Sequence, residues 1–69
     1  MNKGILQFSL NNKKTRYFRR FDLFGKPLIT SIKNNAKIIK EINTKDIINA
    51  LIKEYGKTNI DNMKFIKEE

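Results

Sequence analysis

Neither cysteine nor histidine occurs in this chain. That absence constrains how it can fold more than any motif does. Disulfides are impossible, and zinc sites of the finger or ribbon type, which need cysteine and histidine ligands, are excluded. A chain of 69 residues is short enough to need such staples. It buries only about 60% of the surface that its unfolded form exposes. Stability must come from a compact apolar core, from self-association, or from a partner. The expectation is one small domain, residues 1–69, with no cofactor and no metal.

Alternation supplies the first piece of that core. Between Gly4 and Leu10, the side chains of Leu6, Phe8 and Leu10 fall on one face, and Gln7 and Ser9 on the other. That is the pattern of a half-buried strand. Asn11-Asn12-Lys13-Lys14 reads as a turn, because Asn tolerates left-handed backbone angles. Thr15 to Phe21 is rich in aromatic residues and suits a returning strand. Phe24-Gly25-Lys26-Pro27 is the strongest break, with Pro27 at a strand start. Leu28 to Ile32 resumes an apolar, β-branched run. Residues 36–42 read as a fourth strand with Ala36, Ile38 and Ile42 on one face, or as a short helix capped by Asn35; the strand is preferred.

Asn43 to Tyr55 is the clearest helix. Asn43 or Thr44 caps it, Asp46 suits the positive end of the helix dipole, and Gly56 ends it in a left-handed conformation. Ile47, Ile48, Leu51, Ile52 and Tyr55 form one apolar stripe. Ile60 to Lys67 suits a short final strand, and Glu68-Glu69 a frayed end. The resulting fold class is α+β: an antiparallel β-meander of three or four strands, packed against one helix in the C-terminal half.

Charge narrows the function. The net charge is +8, a density that favours anionic partners. Lys, Ile and Asn make up 32 of the 69 residues, and their codons are rich in A and T. Coding bias alone therefore raises the lysine count. Arginine is the better witness: Arg16, Arg19 and Arg20 are the only arginines, and all fall within five residues. Placement is also uneven. Residues 1–40 carry ten Lys or Arg and the single acid Asp22, whereas residues 41–69 carry five Lys and six acids. A surface built for solubility would mix both signs.

The segment KKTRYFRRF, residues 13–21, interleaves these cations with aromatic rings. Lys and Arg neutralise phosphates, arginine does so with bidentate geometry, and exposed rings stack on bases. On a regular strand Arg16, Phe18 and Arg20 share one face, and Tyr17, Arg19 and Phe21 the other, so neither face is apolar. An edge strand, a partner on one face, or a bulge near Arg19-Arg20 resolves the conflict. Such a bulge would turn Tyr17 and Phe21 one way and most cations the other. Competing with a binding role is a plain one: cations on an edge strand deter aggregation, and at least two of Tyr17, Phe18 and Phe21 are expected in the core. Phe24 is expected to pack against the sheet edge.

Catalysis is not expected. Histidine and cysteine are missing, Ser9 and Ser31 lack a base, and the acids are scattered. A histidine-free ribonuclease would have to use Arg16, Tyr17, Arg19 and Lys13 or Lys14. The leading expectation is a small basic nucleic-acid-binding protein, for DNA or RNA, with electrostatic and weakly sequence-specific contacts. Its candidate residues are Lys13, Lys14, Arg16, Tyr17, Arg19 and Arg20, flanked by Lys26 and Lys33. The alternative is an accessory or inhibitor protein, of the phage or mobile-element kind, that binds a larger protein. Absence of cysteine suits a reducing compartment, and no run approaches the roughly 18 apolar residues of a membrane helix. The expectation is therefore a cytoplasmic monomer or homodimer without membrane contact.

Overall fold

A computed structural model describes residues 2–68. The fold is α+β: five antiparallel strands form one sheet, and a single helix in the C-terminal half packs against it. The strands are β1 (Lys3–Leu10), β2 (Lys14–Phe21), β3 (Pro27–Thr30), β4 (Ile39–Lys40) and β5 (Ile60–Lys67), and the helix α1 spans Thr44–Tyr55.

β1 is the central strand. β5 pairs with it from Gly4 to Leu10, so β2 and β4 must share its other edge. β2 takes Gln7 to Leu10, and β4 takes Lys3 and Gly4. Leu6 and Phe8 are each 1% exposed. They meet Phe18 from β2, Ile39 from β4, Ile60 from β5, and Ile47 and Leu51 from α1. Leu51 is fully buried, a burial worth about 1.5–3 kcal/mol for such a side chain. Most of the predicted helix stripe is core, with Ile48 and Tyr55 half-buried beside Ile47 and Leu51, while Ile52 is half-buried outside the core cluster.

The β1–β2 turn has the chemistry expected of it. Asn11 and Asn12 adopt φ of 56° and 59°, a region open to Asn because its short polar side chain bonds locally. The Asn11 amide also donates to the Asn59 carbonyl at 2.7 Å, tying this turn to the start of β5. A third Asn with positive φ, Asn62 (53°), sits where β5 carries one extra residue opposite Gln7–Ser9 of β1. That is a bulge, and it lets both Ile60 and Phe65 reach the core despite an odd separation.

Two sequence expectations need correction here. Residues 36–42 form neither a full strand nor an α-helix. Short 3-10 turns at Lys33–Asn35 and Glu41–Asn43 leave only Ile39–Lys40 as strand. Ile39 is the buried residue, while Ile38 and Ile42 are exposed. The reason is non-local: this stretch fills the gap where β2 leaves β1, with the Lys37 amide donating to the Phe18 carbonyl at 3.1 Å. Helix capping also differs. Neither Asn43 nor Thr44 caps with its side chain; the Thr44 hydroxyl donates back to the Glu41 carbonyl at 2.7 Å, because a 3-10 turn runs directly into α1. Gly56 does take positive φ (94°), but with ψ of 138° rather than the left-handed helical value.

The C-terminal end is more ordered than a frayed terminus. The Glu68 amide donates to the Lys3 carbonyl at 2.7 Å; Glu69 lies outside the described residues.

Candidate functional site

The conflict written into KKTRYFRRF is resolved by a bulge in β2. Phe18 pairs with Ile29 and Arg20 with Leu28, so Arg19 is an extra residue with no opposite number on β3. The consequence follows from alternation on either side of it. Phe18 and Phe21 both face the helix side, with ring centroids 5.1 Å apart in an edge-to-face pair. Arg20 shares the opposite, open face with its partner Leu28. Tyr17, between Gln7 and Thr30, also stands on the open face.

The bulge thus sorts the rings differently from expectation. Phe18 is the one ring of the three in the core, at 2% exposed. Phe21 is exposed, and Tyr17 is half-buried outside the core cluster. The failed alternation signals a bulge, but which ring it buries depends on β3, which pairs only with the second half of β2.

The cations do not all share a face. Lys14 and Arg16 lie opposite Leu10 and Phe8, on the helix side but at the hairpin end. There Lys13, Lys14 and Arg16 line one recess with Leu10 and Asn11. Arg19 and Arg20 form a second group at the bulge, and both are exposed. From Lys14 to Arg20 is six residues of strand, or about 20 Å. The basic residues therefore follow the length of β2 and change face along it. Arg16 donates to the neighbouring Thr15 carbonyl at 2.9 Å. Among the described residues no arginine makes an ion pair.

Lys26 and Lys33 stand apart from this line. Lys33 lines a recess with Ile5, Ile38, Ile66 and Lys67 on the face of the sheet away from the helix. Lys26 makes the one ion pair among the described residues, 3.2 Å from Glu54 on α1. The Glu54 carboxylate, by its hydrogen bond first and its charge second, raises the Lys26 amine above its ordinary value. A raised lysine value means that this pairing contributes fully below the unfolded lysine range and disappears only as pH rises through the folded value. At neutral pH the charged Lys26 amine stands beside the Glu54 carboxylate, while the β2 cations have no such partner among the described residues. Lys26→Ala should weaken polyanion binding less than Lys13→Ala does, in a side-by-side titration. Equal losses would mean that Glu54 releases Lys26 to the ligand.

Among the described residues no acid pairs with the cations of β2. Asp22 is the single acid in the first forty residues. Its Oδ1 accepts from the amides of Phe24 and Lys26, both at 2.8 Å. The remaining described acids belong to the 3-10 turn before α1, to α1 itself, and to β5 and the residue after it. Among the described residues there is no group of three or more acids that could hold a metal ion. No helix among them is long and apolar enough to cross a membrane.

Sequence reasoning missed one feature. The β2–β3 turn holds Leu23 at 99% exposed and Phe24 at 94%. Phe24 does not pack on the sheet edge, because the turn is closed by its own hydrogen bonds and projects past the end of β3. The signal available in the sequence was Asp22, whose spacing to Gly25 suits a self-contained turn.

Comparison with protein-family models, with curated proteins and with solved structures finds no match.

Proposed function

We propose that the protein is a non-catalytic nucleic-acid-binding domain whose contact element is β2 with its two ends. The observation that carries this reading is the imbalance of charge along β2. Lys13, Lys14, Arg16, Arg19 and Arg20 have no carboxylate partner among the described residues. The nearest acid in sequence, Asp22, commits one carboxylate oxygen to two backbone amides. Uncompensated cations on a strand attract a polyanion and release its counterions on contact.

The dimensions agree with that ligand. A line of charge about 20 Å long covers about six base pairs along a duplex axis, at roughly 3.4 Å of axis per phosphate of each strand. Tyr17, half-buried on the open face between the two groups, offers a ring edge to a sugar or base. Contacts of this type position a backbone without reading sequence. Low sequence specificity follows, since backbone contacts carry no base information.

The test is a fluorescence titration with duplex and single-stranded oligonucleotides at two salt concentrations. Neutralising five phosphates predicts a slope of about −4.5 for log K against log salt on duplex DNA. A slope near zero, or no binding at about 50 mM salt, defeats the proposal. A single protein partner retained at fixed stoichiometry after nuclease treatment would favour the accessory-protein reading instead.

A further inference from the structure

The turn at residues 22–26 combines two properties that rarely occur together. Its apolar side chains are bare, and its backbone is fixed. Leu23 and Phe24 are 99% and 94% exposed. The Asp22 carboxylate holds the amides of Phe24 and Lys26, the Asp22 amide donates to the Lys26 carbonyl at 2.9 Å, and the Gly25 amide donates to the Asp22 carbonyl at 3.1 Å. Gly25 adopts φ of 80°, which closes the turn without strain. A floppy loop could fold its apolar residues back; this one presents them.

We propose that Leu23 and Phe24 form a wedge that enters a base step of duplex DNA and kinks it, while the β2 cations hold the phosphates on one side of the kink. This rests on the reading of β2 as a phosphate-binding strand. Three observations select the duplex. First, the tip is continuous with the line of cations: Arg19 and Arg20 lie just before Asp22, on the strand that leads into the turn. Second, Leu23 has no π face. On single-stranded bases only Phe24 of the two has a ring to stack, whereas Leu and Phe are both side chains that wedge into a duplex step. Third, the charges are wrongly arranged for a lipid surface. An apolar tip that enters a membrane gains from free cations ringed around it. Here Lys26 is bound to Glu54, Lys53 of α1 lines the recess beside Phe24, and the remaining nearby cations run away along β2, so no ring of cations surrounds the tip.

The experiment uses a duplex of about 30 base pairs with a donor and an acceptor dye at its ends, at low salt. Wild type is compared with the double variant Leu23→Ser/Phe24→Ala. Both side chains are exposed, so the variant keeps the fold. Wild type should bring the duplex ends together, with a kink in the range of about 20–90°. The variant should bind with the same salt slope yet leave the duplex straight. Bending by the variant equal to that of wild type overturns the wedge. So does binding by wild type to a duplex that stays straight, which leaves the phosphate-binding reading intact. Absence of any duplex binding by wild type defeats both. A parallel sedimentation with phosphatidylcholine–phosphatidylserine vesicles gives the remaining outcome: wild type bound and the variant free, with no bending of DNA, would assign the tip to membranes and also overturn the wedge.

Discussion

Arg16→Ala/Arg19→Ala/Arg20→Ala is expected to flatten the salt dependence of duplex binding from about −4.5 to about −1.8, because each phosphate left without its arginine takes about 0.9 off the slope. Between about 50 and 200 mM salt, wild type should lose roughly 500-fold in affinity and the variant about tenfold. The fold should survive. Arg19 and Arg20 are exposed, and none of the three arginines is ion-paired among the described residues. Surface changes of this kind stay within about 0.5 kcal/mol each. Arg16 is half-buried and carries a hydrogen bond to the Thr15 carbonyl, so a melting curve belongs beside the titration. Unchanged slope with unchanged melting would remove β2 as the contact element.

Gly4→Ala should be the most damaging single substitution. A Cβ at Gly4 would overlap the Ile66 carbonyl oxygen and lie 2.8 Å from the Ile66 carbonyl carbon and 2.9 Å from the Lys67 Cα. All three are main-chain atoms of β5, so no side chain can swing aside. Either β5 or β1 must move, and these two strands pair along nearly their whole length. Overpacking a core with flexible neighbours costs about 1–3 kcal/mol; against main chain the cost should exceed about 3 kcal/mol. A domain of this length has only about 3–10 kcal/mol to lose. Urea unfolding followed by circular dichroism should show a much lower midpoint or no folded baseline. Gly25→Ala is the control. Nothing lies within 4 Å of its Cβ, and its φ of 80° is the sole obstacle, which limits the loss to about 1–2 kcal/mol. If both variants melt together, the tight approach of β5 to Gly4 is not what the fold depends on.

Local pattern and non-local pairing divide what the sequence can reveal. Leu6, Phe8 and Leu10 announce β1 because alternation is a property of adjacent residues. Asn11-Asn12 announces its turn, and the Ile47–Tyr55 stripe announces α1, for the same reason. Residues 36–42 mislead because their conformation answers to a gap between β1 and β2, which no window of neighbouring residues contains. The conflict that the bulge resolves is visible in the mixed faces of β2. Its outcome, with Phe18 inside and Tyr17 on the open side, is set by four residues of β3. For the candidate site, the cluster of arginines is legible, but its division into a hairpin group and a bulge group is not. Lys26 looks like a neighbour of that cluster until the fold brings Glu54, on α1, beside it. Phe24 reads as a packing residue because apolar side chains usually are. Its exposure follows from a turn that satisfies its own backbone.

The partnership of β1 with β5 carries a consequence for biogenesis. An early strand, LQFSL, is flanked on one side by a hairpin that forms at once and on the other by a segment translated about fifty positions later. Until that segment emerges from the ribosome, one side of β1 offers unsatisfied amides and carbonyls beside Leu6 and Phe8, an open template for strand addition. Nascent chains stalled before residue 60 should therefore be the aggregation-prone species, and the cations along β2 are then already present to keep such chains apart.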